Sequence, residues 1–443
     1  MKKPKTPPRL DLESLLRQGQ TAFGSLLGSV PGLTVGGGYL HWDTLRFHKP
    51  PGGLSLEQWW FALKLRRMGL YKSIPLVDKE SRPFQFLEVD PMGQRLHEID
   101  QGCGGMIQMP EPITNPDTRD QYYVSSLVEE AITSSQLEGA ATTRDVAKEM
   151  LRTHRRPVDR SEQMILNNFL TMQEIAAVKK EPLSEELILK IHHLVTDKTL
   201  EDASAAGRYR TSDERIMVGD LYNEIFHDPP PATQLPDRIK ALCDFANGQS
   251  PGTFIHPVVR SIILHFWLAY DHPFVDGNGR TARALFYWSV LHHGYWLFEF
   301  ISISQIIRKA PAKYARAFLY TETDDNDLTY FILYHLEVLR QAIDQLHHYI
   351  REKTDRLRQA EQRMRGILTL NHRQRALVGH ALRHPNQHYT IHAHQVSHNV
   401  VYQTARTDLL GLKDRGLFVE KKSGRTYYFL PMKDLEERLS QLE

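Results

Sequence analysis

Residues 272–283 read His-Pro-Phe-Val-Asp-Gly-Asn-Gly-Arg-Thr-Ala-Arg, and several kinds of chemistry meet in this run. His272 has the near-neutral pKa suited to taking a proton from an incoming hydroxyl. Asp276 is placed to hold a divalent cation, since Mg²⁺ prefers one or two carboxylates plus phosphate oxygens. Gly277 and Gly279 free the backbone so that amides can approach an anion, and a helix opening here would aim its unpaired N–H groups at the same place. Arg280 and Arg283 lie on nearly one face of that helix, so both could reach one polyphosphate chain. Any one of these residues alone is more often a turn feature. All of them within twelve positions read as a phosphate cradle with a base beside it.

Two other segments carry chemistry. Residues 123–139 form an apolar stripe through Val124, Leu127, Ala131, Ile132 and Leu137 that predicts a helix stopping at Gly139. Glu138 falls near its C-terminus, where the dipole disfavours an anion, so it needs a compensating cation. Residues 207–231, GRYRTSDERIMVGDLYNEIFHDPPP, break any helix with polar residues, glycine and prolines and predict a short hairpin or flap.

The run at 272–283 matches, at every position, the Fic family motif: HPF, two residues, GNGR and a second Arg. That resemblance implies a mostly helical fold and transfer of AMP from ATP to a Ser, Thr or Tyr hydroxyl of a protein. By similarity His272 would be the general base and Asp276 would bind Mg²⁺. Asn278 and the amides of Gly277 and Gly279 would hold phosphates, Arg280 and Arg283 would grip the β and γ groups, and Phe274 would anchor the loop in the core. A kinase branch of the family carries lysine at the second glycine, so Gly279 and Arg283 favour nucleotidyl transfer. Ser134-Ser135-Gln136-Leu137-Glu138-Gly139 resembles the family's inhibitory motif, Ser or Thr, three residues, Glu, then Gly or Asn. Its cation would be Arg283, and Glu138 would keep the γ-phosphate from docking. Gly207 to Arg210, Ile216 to Val218 and Pro229-Pro230 resemble the family flap, which holds the target segment by strand pairing. The family's paired tyrosines stand here as Tyr314-Ala315, which leaves the base-binding residues open.

The elements that must position these residues are predicted as a mainly α chain with a β-hairpin flap. Its 443 residues allow about three domains. An N-terminal accessory domain is expected at 1–111, with a helix capped by Ser55 that buries Trp59, Trp60 and Leu63, followed by two short strands. The catalytic domain with its inhibitory helix is expected at 112–345, a charged linker helix at 346–365 and a winged helix at 366–443, with its wing turn at Lys422-Ser423-Gly424-Arg425. Apolar residues make up 41% and charged residues 24%, which excludes a disordered or collagen-like chain. Two cysteines exclude a disulfide framework and a cysteine-rich zinc site. The pairs His192-His193, His292-His293 and His347-His348 are read as ordinary core or surface histidines. No apolar run follows the N-terminal lysines, and none approaches a membrane span, so the expected setting is cytoplasmic with no membrane partner.

The formal charge is only +2, yet residues 361–430 hold eleven Lys and Arg against four Asp and Glu, a local +7 against −5 elsewhere. DNA binding through His398 to Leu410 and the wing residues Lys421, Lys422 and Arg425 is one reading of that patch. Protein docking, a homodimer included, is the other, and the charge does not choose between them. Two alternatives to adenylylation stay open: a nucleotide-sensing DNA-binding regulator, and a Fic enzyme that transfers a different phosphate-containing group.

Overall fold

The computed structural model describes residues 2–9, 28, 30, 32–104, 116–219, 224–249, 254–366, 369–385, 387–423 and 426–441. The chain divides into two compact units, one of residues 1–105 and 126–343, the other of 106–125 and 344–443.

The first unit opens with α1 (Trp42–Leu45) and α2 (Leu56–Met68). Ser55 caps α2 as its type predicts. Its hydroxyl accepts from the Gln58 amide at 3.1 Å, and the Gln58 side chain returns the bond at 2.9 Å. Trp59, Trp60 and Leu63 are buried in a local cluster with Leu45, and β1 (Lys72–Val77) and β2 (Pro83–Phe86) form the expected antiparallel hairpin. A short α3 (Met92–Ile99) follows.

The accessory segment expected to end at 111 is not a body of its own. Tyr39 and Tyr71 both donate to Asp327 Oδ2, at 2.5 and 2.8 Å. Lys64 pairs with buried Asp324 at 2.7 Å, and Arg67 Nη1 donates to the Tyr330 hydroxyl at 3.4 Å. Charged groups this deeply buried need such partners, and here the partners sit some 250 residues further along the chain. The two segments therefore fold as one unit.

Residues 126–137 of α4 (Pro116–Leu137) belong to this unit, and its remaining helices are α5 (Arg144–Thr153), α6 (Arg160–Val178), α7 (Glu185–Thr196), α8 (Leu235–Ala246), α9 (Pro257–Asp271), α10 (Asn278–His292), α11 (Ile303–Lys309) and α12 (Pro311–Thr323). α9 is apolar on all sides, with Val258, Ile262, Leu264, Phe266 and Trp267 buried, as a helix at the centre of a bundle must be. α10 packs against α9, α6 and α7. The flap is β3 (Val218–Gly219) paired antiparallel with β4 (Ile225–His227); residues 220–223 of the predicted hairpin lie outside the described residues.

The helix expected as a separate linker at 346–365 is the second half of α13 (Thr329–Gly366), which starts inside the first unit. Nothing in 329–366 breaks it, because that span contains neither proline nor an internal glycine. The second unit continues with α14 (His372–Arg383), α15 (Ile391–His398), α16 (Tyr402–Asp414), β5 (Phe418–Ser423), β6 (Thr426–Pro431) and α17 (Leu435–Leu439). β5 and β6 pair in continuous antiparallel register, and Tyr389 bridges to Phe429. Val378, Leu409, Leu412, Leu417 and Phe429 form their core. Gly424 and Arg425 of the expected wing turn lie outside the described residues. Among the described residues no helix is long and apolar enough to cross a membrane.

Candidate functional site

α9 stops at Asp271, and His272 takes a left-handed backbone conformation, φ 47° and ψ 54°. A non-glycine residue there stores strain and needs its surroundings to hold it. Asp271 is fully buried, accepting from Arg238 Nε at 2.7 Å and Trp267 Nε1 at 3.0 Å. Arg210 grips the far side of the loop: its Nε donates to the His272 carbonyl at 2.9 Å, its amide to the Pro273 carbonyl at 2.8 Å, and its Nη2 to the Pro230 carbonyl.

The His272 ring places Nδ1 3.2 Å from the Ala269 carbonyl. A carbonyl cannot donate, so the proton sits on Nδ1 and Nε2 keeps its lone pair, an assignment made from the partners. Burial pushes the imidazole down to about 4, with the nearby His227 adding to the effect and the Ala269 carbonyl opposing it. His272 is thus a neutral base at pH 7.

The Asn278 side chain is engaged with the loop's own backbone. It accepts from the Phe274 amide at 3.0 Å and donates to the Phe274 carbonyl at 2.8 Å. Those bonds close the loop and leave the amide at the helix N-terminus as what it offers an anion. Phe274 is buried as expected, its ring stacked on His192 at 3.6 Å. His192 accepts the Gly207 amide on Nδ1 and donates from Nε2 to the Asp276 carbonyl, both at 3.0 Å. Gly277 is required by its φ of 81° and because a methyl there would meet Thr196 Cγ2 at 2.6 Å.

Asp276 accepts the Gly277 amide on Oδ1 at 2.5 Å and faces Arg160 across 3.1 Å with Oδ2, 41% exposed. Among the described residues no group of three or more His, Cys, Asp or Glu is arranged to hold a metal. One half-exposed carboxylate beside a phosphate cradle still suits Mg²⁺, which takes few protein ligands and keeps phosphate oxygens and water. Arg280 is buried, with Nη1 donating to the Val195 carbonyl at 2.8 Å. Its Nε and Nη2 have no hydrogen-bond partner, and the nearest anion is Asp276 Oδ1 at 3.7 Å. Two orphaned donors on a buried cation are strong reason for an anion to approach.

Arg283, by contrast, has partners on both Nε and Nη2. Its Nε donates to Ser134 Oγ at 2.8 Å, and its Nη2 to the Ser134 carbonyl at 3.0 Å and to Glu138 Oε1 at 2.8 Å. Burial works against the guanidinium charge, but Glu138 outweighs it and raises its pKa. The carboxylate sits directly over Gly279, where a methyl would overlap Glu138 Oε1. The unpaired amides at the start of α10 and the Arg283 guanidinium therefore face a negative charge supplied by the end of α4.

Residues 182–290 match the model of the Fic/DOC family. The chain carries a Fic domain. A 107-residue stretch is 35% identical to the protein adenylyltransferase Fic of Nematostella vectensis, covering 24% of this chain and 22% of that protein. A 115-residue stretch is 33% identical to the protein adenylyltransferase fic-1 of Caenorhabditis elegans, covering 26% of this chain and 20% of the relative. The chain thus spans about a fifth of the length of these relatives. A Fic family protein from Desulfovibrio desulfuricans shares the fold with a TM-score of 0.53 at 20% identity, over 79% of this chain and 98% of that one.

The Fic loop opens on a cavity of about 230 Å³ lined by Glu138, His272, Gly279 and Arg283 at one end. Val218, Phe226, Tyr314, Ala315 and Phe318 form an apolar slot at the other, with Glu322 and His227 at its edge. Arg280 is not among the residues that line it. Sequence reasoning missed four supports. Arg210, His192 and His227 lie in other segments, and no spacing rule connects them to residue 272. The fourth is Glu130, two turns before Glu138 on α4. It is buried and accepts from the Tyr287 hydroxyl, Ser302 Oγ and the Ser304 amide and hydroxyl, at 3.0, 2.8, 3.1 and 2.5 Å. Two consecutive glutamates, 129 and 130, on an amphipathic helix give no reason in the sequence to bury either, yet both are buried.

Proposed function

We propose that this protein transfers AMP from ATP to a hydroxyl side chain of a protein and restrains itself through Glu138. The observation that carries the reading is a neutral histidine and a carboxylate-filled anion site in one cavity: His272 presents a free Nε2 while Glu138 occupies the space over Gly279 against Arg283. A bound triphosphate would compete with that carboxylate for the same guanidinium.

In the reaction the target hydroxyl attacks the α-phosphorus. The new O–P bond forms as the bond to the β-phosphate oxygen breaks, His272 Nε2 takes the hydroxyl proton, and pyrophosphate leaves. The Ala269 carbonyl keeps the His272 ring in the tautomer and orientation this requires. Arg283 and the α10 amides stabilise negative charge where it grows on the leaving group. Mg²⁺ held at Asp276 would neutralise phosphate oxygens. The flap edge would register the target by strand pairing, and the apolar slot beside Tyr314 and Ala315 would receive the base.

Purified protein given labelled ATP and Mg²⁺ should show weak self-modification that Glu138→Gly raises and His272→Ala abolishes. A Glu138→Gly variant that binds nucleotide yet stays silent would overturn the reading, and mass spectrometry of modified protein separates AMP from another transferred group by the added mass. For the C-terminal unit, read as a winged helix, exposed Gln403 and Arg406 on α16 and exposed Lys421 and Lys422 on β5 support a duplex DNA partner. Binding that weakens steeply with salt supports it; retention unchanged in high salt points to protein docking.

A further inference from the structure

His227 ends the flap strand β4, and both of its ring nitrogens meet acceptors. Nδ1 lies 2.7 Å from Glu322 Oε2 on α12, and Nε2 lies 2.7 Å from the Tyr270 carbonyl at the end of α9. A neutral imidazole has one N–H and cannot donate twice. Since the carbonyl only accepts, the two short bonds require an additional proton shared by the ring and the carboxylate. The Tyr270 ring packs 4.8 Å from the imidazole, and Tyr270 stands two residues before His272. One side chain thus ties the flap to the helix that aims the catalytic histidine.

We propose that His227 is a positioning residue: protonated and paired with Glu322, it latches the flap strand to the C-terminus of α9 and so fixes the distance between the target-binding edge and His272. The inference rests on the adenylyl-transfer reading for its purpose, though not for its geometry. Loss of one proton would leave the ring a single N–H; kept on Nδ1 toward the Glu322 carboxylate, it would set the lone pair of Nε2 against those of the Tyr270 carbonyl, and the end of β4 would come away. The groups facing His227 are Glu322 from α12, Tyr270, Asp271 and His272 from α9 and its loop, Lys79 from the β1–β2 turn, and Asp228 beside it. Lys79 is itself neutralised by Asp228 at 2.6 Å. Burial opposes the charge on the ring, but Glu322 outweighs it and holds the His227 pKa above the ordinary histidine value. The latch is therefore closed at low and neutral pH and opens as pH rises through that raised value.

Hydrogen–deuterium exchange of residues 224–230 in the full-length protein, corrected for the intrinsic pH dependence of exchange, tests this without any need for turnover. Protection should drop about tenfold across one transition above the ordinary histidine range, the size of one lost hydrogen bond. Glu322→Gln should move that transition to lower pH, and His227→Gln should remove it. A wild-type segment with no transition, or a transition that Glu322→Gln leaves in place, overturns the proposal. In a Glu138→Gly background, His227→Gln should lower kcat for self-modification roughly ten- to a hundredfold with KM for ATP unchanged. A raised KM with kcat intact would make His227 a nucleotide contact and overturn the latch. If no variant transfers AMP while the exchange transition shifts as described, the latch stands and the adenylyl-transfer reading fails.

Discussion

The Fic loop and the C-terminal unit are both rich in arginine and lysine, but they hold positive charge in opposite ways. At the loop, Arg283 is paired with a carboxylate borrowed from another helix, and Arg280 keeps two buried nitrogens without a hydrogen-bond partner, its Nη2 lying 3.7 Å from Asp276. In the C-terminal unit several cations are held by their own neighbours, while Arg406, Lys421 and Lys422 are exposed. Arg373 pairs with Asp408 at 2.6 Å, Lys413 with Glu420 at 2.6 Å, and Arg415 donates to the Gly411 and Thr369 carbonyls. A charge sum measures composition, whereas availability depends on whether an acid or carbonyl was folded in beside each cation. The +7 counted over 361–430 already nets out Asp408 and Glu420, so it gives the charge left over but not which side chains carry it, whereas at the Fic loop the placement of two arginines can be read residue by residue.

The largest effect should come from removing the base: His272→Ala in a Glu138→Gly background should lower transfer roughly 10²–10⁴-fold. Because burial first of all holds His272 at about 4, its base form is present at neutral pH and is lost only as pH falls through that value. The acid limb of kcat/KM assigned to it should therefore lie near 4; a limb near 6.5 would break the account of the loop as a dry, pre-set site.

Glu138→Gly alone should raise self-modification on the order of tenfold, the gain expected if the carboxylate fills the anion space nine-tenths of the time; it is read from labelled ATP. No change would make Arg283 as unavailable as Arg373 and erase the contrast between the two regions.

In the C-terminal unit, Asp408→Asn should cost about 1–3 kcal/mol in the unfolding of that unit, measured by denaturant titration, because Arg373, Asn371 and His394 all lean on it. Burial tends to raise the Asp408 pKa, but bonds from Arg373, Asn371 and His394 outweigh it and hold it low. A depressed carboxylate contributes stability above its unfolded pKa and loses it as pH falls through the folded one. The wild-type unit should accordingly weaken below about pH 4, and Asp408→Asn should flatten that dependence.

The smallest effect concerns salt. Replacing both Lys421 and Lys422 with Glu should reduce the slope of log K against log salt for duplex DNA by about two phosphate contacts' worth, and an unchanged slope would remove DNA as the partner of that face.

How much of this could be read beforehand follows from how far apart the participants lie. The Fic loop was legible because His272, Asp276, the glycines and both arginines are contiguous, and because the helix end carrying Glu138 has its own spacing. The loop-closing bonds of Asn278 were not, since its type suits a phosphate as well as it suits the backbone of Phe274. Arg210, His192, His227 and Glu130 became visible only when folding brought distant segments to the loop. The accessory region was misjudged for the same reason: nothing in the sequence around Tyr39 or Lys64 points to Asp324 and Asp327. Helix α13 shows the converse, where an even composition over 329–366 concealed no break because none exists.

Under the proposed restraint, Glu138 would act as an inhibitor that is never diluted. Attached to α4, it meets Arg283 at an effective concentration set by the chain and not by the solution, and Glu130 buried one level deeper holds that helix in register. Raising ATP would then be a poor way to switch the protein on, because a free ligand must outbid a tethered one. A signal that shifts α4 by a single turn would move the carboxylate about 5 Å along the helix axis and leave the cradle over Gly279 open at any nucleotide level.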